Sequence, residues 1–178
     1  MSAEARVPRP AVFFDRDGTI NADEKGYMHR PEELVFLPGA IAAVKRINAL
    51  GYYAFLITNQ SGVARGYFSE AELKTLLDWM RSELAKDGAV IDDVRYCPHH
   101  PSGTVEGYLE DHPWRKPKPG MILDLMQHWP VVTEGSFVIG DRDSDIAAAQ
   151  AAGLPGFLFE GGDLDAFVAD ILARLRVG

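Results

Sequence analysis

The stretch AVFFDRDGTIN, residues 11–21, sets four apolar side chains directly against Asp15, Arg16, Asp17 and Gly18. A short, unbroken apolar run that stops at a turn signal reads as a strand buried on both faces. Strands of that kind belong to parallel sheets covered by helices. Asp15 and Asp17 are two residues apart, so an extended backbone points both carboxylates to the same side. Gly18 lets the chain turn sharply after them. A buried strand that ends on two acids places charge at one edge of a sheet, and the rest of the chain has to supply what that charge meets.

Apolar runs and helical patterns alternate from there on. PGAIAAVKRINALG predicts a helix with Ile41, Val44 and Ile47 on one stripe and Gly51 as its stop. YYAFLIT predicts a second buried strand. SEAELKTLLDWMRSELAKDG predicts a long helix that opens on a capping box, Ser69 with Glu72, and ends at Gly88. IDDVRYC, GSFVIG and GFLFE predict three more strands. KPGMILDLMQHW, SDIAAAQAAG and DLDAFVADILARLRV predict helices around them. Such alternation defines an α/β class with a doubly wound, mostly parallel sheet. In that architecture a site forms at the carboxyl ends of the strands. A single domain over 1–178 is expected. Residues 18–37 and 97–117 carry no clear element, and loops that long in a compact domain are commonly functional.

Composition narrows the partners. The 178 residues carry a net charge of −8 with no basic block, which argues against nucleic acid and anionic membrane. No apolar run is long enough to span a bilayer, and MSAEARVPRP has no signal-peptide core. The one cysteine, Cys97, excludes an internal disulfide, and a cytoplasmic setting is expected. A monomer acting on a small molecule is expected.

The predicted strand ends collect a set of polar residues. The first ends in Asp15 and Asp17 and the second in Thr58 and Asn59. The fourth runs into GDRDSD, with Asp141 first and Asp145 further on; Lys116 precedes a helix within RKPKPG. Taken singly, each has an ordinary reading. Asp-x-Asp-Gly occurs in turns and calcium loops, Thr58 is a strand-end hydroxyl, and Lys116 is a surface cation. Asp141 and, better, Asp145 suit the amides at a helix N-terminus. Jointly and in this order they suit phosphoryl transfer from a monoester. One carboxylate attacks phosphorus and its neighbour moves protons. A Mg²⁺ ion screens the repulsion between the two anions. Lys116 and Thr58 donate to the phosphoryl oxygens.

DRDGT, ITNQSG, RKPKPG and IGDRDSDIAAA resemble the four motifs of the haloacid dehalogenase (HAD) superfamily of phosphatases. FFDRDGTIN, GYMH, TNQSGVARGYF and CPHHP further resemble the D-glycero-D-manno-heptose 1,7-bisphosphate 7-phosphatases and their sisters, the histidinol-phosphate phosphatases. The likeness runs from about residue 11 to 153. It implies a Rossmann-like HAD core with a minimal cap, in which residues 18–37 form a flap beside the nucleophile. It further implies Asp15 as nucleophile and Asp17 as general acid/base. Asp15, the Asp17 carbonyl and Asp141 would hold Mg²⁺, and Thr58 and Lys116 the transferring phosphoryl group. Asn59 and Arg115 would recognise substrate. Arg142 stands where relatives often carry lysine, and Arg65 is a candidate for a second phosphate. The implied reaction releases the C7 phosphate of the heptose bisphosphate, with histidinol phosphate as the alternative substrate. Two readings of other classes remain: a receiver-like signalling domain phosphorylated on aspartate, and a silent phosphosugar-binding module.

Relatives often bind structural Zn²⁺ in the loop that CPHHPSGTVEGYLEDHPWRKP occupies here. This chain keeps Cys97 and His99, and matching back from Arg115 puts the second pair on His112 and Trp114. Trp114 cannot ligate, so a zinc site rests on Cys97, His99 and His112, with His100 and Asp111 as spare ligands. A closed zinc site wants four ligands. The competing expectation is a loop held by its prolines and by Trp114 packing.

Overall fold

In a computed structural model of the protein, residues 5–177 are described; residues 1–4 and 178 of the expected domain lie outside them. Five parallel strands form one sheet in the order β3-β2-β1-β4-β5. They are β1 (Ala11–Phe14), β2 (Tyr53–Asn59), β3 (Asp93–Cys97), β4 (Phe137–Gly140) and β5 (Gly156–Leu158). The helices are α1 (Ala40–Ala49), α2 (Glu70–Lys86), α3 (Gly120–His128), α4 (Asp143–Ala151) and α5 (Leu164–Val177). A single 3₁₀ turn at Pro31–Glu33, which the sequence pattern did not announce, adds to these.

Side-chain alternation along the strands builds two cores. Val12, Phe14, Ala54, Leu56, Phe137 and Ile139 face α1, α2 and α5, packing on Val44, Ile47, Met80, Leu84, Val168 and Ile171. Ala11, Phe13, Phe55, Ile57 and Val138 face the other way, onto Met121, Ile122 and Leu125 of α3 and Ala148 and Ala149 of α4. All four residues of β1 are buried, as a central strand covered on both faces requires. The strand order reverses at β1. The chain runs from β1 through β2 to β3 on one side, then crosses back to β4 and β5 on the other, and this switch opens a crevice beyond the carboxyl ends of β1 and β4.

Ser69 caps α2 by accepting the Glu72 N–H at 3.1 Å. Only half of the expected capping box forms, because the Glu72 carboxylate turns to the Ser69 hydroxyl, 3.4 Å away. The first turn of α2 has a second task. Glu70 accepts the hydroxyls of Tyr96 and Tyr108, both at 2.7 Å, and so ties helix, edge strand and the 97–117 loop together. These bonds hold its carboxyl below the usual range. Residues 18–37 leave the sheet and return: Ala22 N–H bonds to Val35 O, and Leu37 N–H to Ile20 O. Among the described residues no helix is long and apolar enough to cross a membrane.

Candidate active site

Asp15 follows β1 directly, and its backbone N–H bonds to Ile139 O of β4, which fixes it at the crevice. Its carboxylate Oδ1 accepts from the Lys116 ammonium at 2.8 Å. The same ammonium donates to Asp145 Oδ1 at 2.6 Å and to Ile57 O at 3.0 Å. Lys116 is 4% exposed, so this is a buried cation between two buried acids. It reaches that place because Asn59 clamps its backbone: Asn59 Nδ2 donates to Lys116 O, and Lys116 N–H donates to Asn59 Oδ1. Asp145 is fixed in turn by accepting the Arg142 N–H at the start of α4.

Charge does not balance here. Asp15, Asp141 and Asp145 bring ligand oxygens within 4.8 Å of one another, against one ammonium. Burial raises the Asp15 carboxyl well above its ordinary range; Lys116 opposes this and Asp145 reinforces it. Burial also works against the Lys116 charge, but Asp15 and Asp145 outweigh it and hold the ammonium above its ordinary value. Asp141 Oδ1 is buried without a partner. A surplus of oxygen ligands, an orphaned carboxylate oxygen and excess negative charge suit a hard divalent cation between Asp15 and Asp141. The two oxygens of Asp145 are already engaged by Lys116 and Arg142.

Gly18 is what lets Asp141 approach. Its φ is +82°, and a Cβ built there would sit 2.1 Å from Asp141 Oδ2. Gly18→Ala is expected to cost about 1–2 kcal/mol for the left-handed backbone. Displacing the carboxylate is expected to lower kcat/KM by on the order of 10²-fold. Phosphate-release kinetics beside thermal melts check this, and an alanine variant at wild-type rate would contradict it.

Asp17 stands among donors. Arg16 reaches its Oδ1 through Nε and a terminal nitrogen at 3.0 and 2.8 Å, Asn21 donates to Oδ1 at 3.0 Å, and Gln60 donates to Oδ2 at 2.9 Å. Gln60 also donates to the Thr58 hydroxyl at 2.8 Å. A cleft of about 360 Å³ opens over this floor, lined by Asp15, Asp17, Lys116, Asn59, Arg115 and Arg142 among others. It is thus polar and open, with Asp15 presented to it.

Of the residues expected from sequence, the fold gathers Asp15, Asp17, Asn59, Arg115, Lys116 and Arg142 around the cleft, with Asp141 beside Asp15. Thr58 is buried behind it, its hydroxyl engaged by Gln60. Arg65 does not line the cleft; its carbonyl receives a weak contact from the Thr104 hydroxyl at 3.4 Å. Sequence reasoning missed Gln60 and Arg16 as parts of the site, and it placed Asp145 at the sheet edge without a role in it. Arg16 is fully buried, and the signal was its place between the two acids.

The zinc set is not assembled as expected. His99 and His112 stack at 4.7 Å and meet Glu110, with ligand atoms within 4.8 Å of one another. Cys97 is outside that group. It ends β3 with its side chain in the α3 core, next to Met121 and Ile122. Burial raises its thiol above the ordinary range. His112 Nδ1 is already taken by the Trp114 N–H. Cys97, His99 and His112 therefore do not fit a common zinc ion.

A buried carboxylate at the end of the first strand, a lysine bound to it and a second acid after the fourth strand define a phosphohydrolase of the HAD class. The HAD-hydrolase-like family model matches residues 113–172. Over 168 residues the chain is 55% identical to the D-glycero-beta-D-manno-heptose-1,7-bisphosphate 7-phosphatase of Rhodopseudomonas palustris, covering 94% of this chain and 93% of that one. The protein of the same name from Escherichia coli is 43% identical over 143 residues, 80% of this chain and 74% of that one. The solved D,D-heptose 1,7-bisphosphate phosphatase from B. bronchiseptica, complexed with magnesium and phosphate, superposes with a TM-score of 0.80. It is 32% identical, with 93% of this chain and 99% of that one covered. The chain belongs to the family of D-glycero-beta-D-manno-heptose-1,7-bisphosphate 7-phosphatases, and it is a phosphatase.

Proposed function

We propose that this chain is a Mg²⁺-dependent phosphomonoesterase that removes the C7 phosphate of D-glycero-D-manno-heptose 1,7-bisphosphate through an aspartyl phosphate. The observation that carries the reading is Asp15, open to the cleft on one side and bonded by Lys116 on the other. The names of the relatives and the magnesium and phosphate of the B. bronchiseptica structure support it. Asp15, the Asp17 carbonyl and Asp141 would hold Mg²⁺, which when bound neutralises charge so that a carboxylate can approach a phosphate.

The side chains then divide the work. A carboxylate oxygen of Asp15 forms a bond to phosphorus as the bond from phosphorus to the leaving oxygen breaks, and Asp17 gives that oxygen a proton. Asp17 next takes a proton from water, whose oxygen attacks the same phosphorus. Inorganic phosphate leaves and Asp15 is restored. Lys116 keeps a fixed positive charge beside the phosphoryl oxygens throughout, held in place by Asp15, Asp145 and Ile57 O. Gln60 and Arg16 orient Asp17, while Asn59 fixes Lys116. Arg115 and Arg142 at the cleft wall supply charge for the second phosphate. Residues 18–37 serve as the flap.

Phosphate release across a panel of phosphosugars, with and without Mg²⁺, tests the proposal. The heptose 1,7-bisphosphate is expected to give the highest kcat/KM, and removal of the metal with chelator is expected to abolish turnover. Preference for histidinol phosphate, or full turnover in chelator, would overturn it.

A further inference from the structure

We infer that Tyr27 is a substrate-positioning wall that packs on the carbon face of the sugar ring; the inference rests on the phosphosugar reading above. Among the described residues Tyr27 is the only aromatic side chain lining the cleft. The remaining lining is charged or polar, apart from Gly26, Gly62 and Pro117. Phosphates meet cations there, but a sugar also presents C–H groups, and an aromatic ring is the side chain suited to cover them.

The backbone at this position is held against its own preference. Tyr27 has φ +49°, in the left-handed region that a bulky side chain avoids. The residues after it are pinned. The buried Arg16 donates to Met28 O at 3.2 Å, Met28 is buried, and His29 stacks on Phe68 at 5.0 Å. His29 Nδ1 also meets Tyr27 O at 3.0 Å. Tyr67, from the β2–α2 loop, meets the Tyr27 ring edge-on at 4.7 Å and buttresses it. Yet the ring these contacts fix stays 47% exposed. An unfavourable conformation that is kept in place while its side chain stays open to the cleft points to use in binding.

Three variants separate binding from structure. Tyr27→Asn suits the left-handed backbone, so its thermal midpoint should equal or exceed that of the wild type. It lacks the ring, so kcat/KM for the heptose bisphosphate should fall about tenfold or more, mainly through KM. On glycerol 2-phosphate, an acyclic ester, it should stay within about twofold. Tyr27→Phe should keep wild-type preference, and Tyr67→Ala should lose an intermediate part of it. Wild-type turnover of the bisphosphate tests the reading of the site, and the ratio of the two substrates in the variants tests the wall. A Tyr27→Asn variant that keeps the wild-type ratio, or that loses both substrates equally, would refute the inference.

Discussion

Asp15→Asn is expected to lower kcat by roughly 10⁴-fold or more, because the amide cannot form the phosphoenzyme and nothing else in the cleft replaces it. Its effect on the fold should run the opposite way. A carboxyl whose pKa rises on folding stabilises the native state below its unfolded value, near ~4. That contribution is lost as pH rises through the folded value. Burial puts Asp15 in this category. At neutral pH without divalent metal the ionised group therefore costs stability. Asparagine removes that charge and can still accept from Lys116 through Oδ1. The variant should melt at or above the wild-type temperature at pH 7, with the gap closing as pH falls toward the unfolded value. Added Mg²⁺ should raise the wild-type midpoint more than the variant's, since binding to the native state stabilises by mass action. Melts across pH, with and without Mg²⁺, beside single-turnover phosphate release, check all three. A turning-over Asp15→Asn enzyme would refute covalent catalysis by this residue.

What the sequence disclosed depended on how local each cause was. Strands and helices came from runs and periodicities inside their own segments, so AVFF is β1 residue for residue and the parallel, doubly wound architecture follows. Asp15 and Asp17 were legible only together with Thr58, Lys116 and Asp141, because Asp-x-Asp-Gly alone also occurs in turns and calcium loops. Asp145 was placed at the same sheet edge, but its partner there was not legible. Three residues into a helix segment it looks like a helix-terminal acid, and it does accept the Arg142 N–H. Only the arrival of Lys116, 29 positions away in sequence, makes it part of the site. Gln60 was hidden for a similar reason, since its bond to Asp17 spans 43 positions. The zinc reading turned on side-chain direction, which spacing does not show. Cys97 and His99 are spaced as a ligand pair, but the β2–β3 ladder pairs Cys97 with Asn59 and its thiol faces the α3 core. Glu110 then meets His99 and His112 because the loop folds back on itself, which spacing alone does not reveal.

Lys116→Met should be the most damaging change to fold and function together. Methionine nearly conserves volume, so the variant tests charge rather than a cavity. Lys116 Nζ bonds Asp15 at 2.8 Å, Asp145 at 2.6 Å and Ile57 O at 3.0 Å. Without it two buried carboxylates face each other uncompensated, at a cost of about 3–5 kcal/mol. The lysine's own pKa is raised on folding, so its contribution is present throughout the neutral range and fades only above its unfolded value. In the variant the Asp15 carboxyl, no longer held down by the ammonium, rises further. Proton uptake then relieves the repulsion, and the stability gap to wild type should narrow from pH 8 to about 5. Loss of the fixed charge on the phosphoryl oxygens should lower kcat by about 10²–10³-fold. Asp145→Asn keeps an acceptor for the Arg142 N–H and removes one of the two charges. Combined with Lys116→Met it should restore part of the lost stability but none of the rate, a coupling that a double-mutant cycle measures directly. If the double variant is as unstable as the sum of the single ones, the ammonium is not what holds the acids together. If Lys116→Met turns over at near wild-type rate, it is not what holds the phosphate.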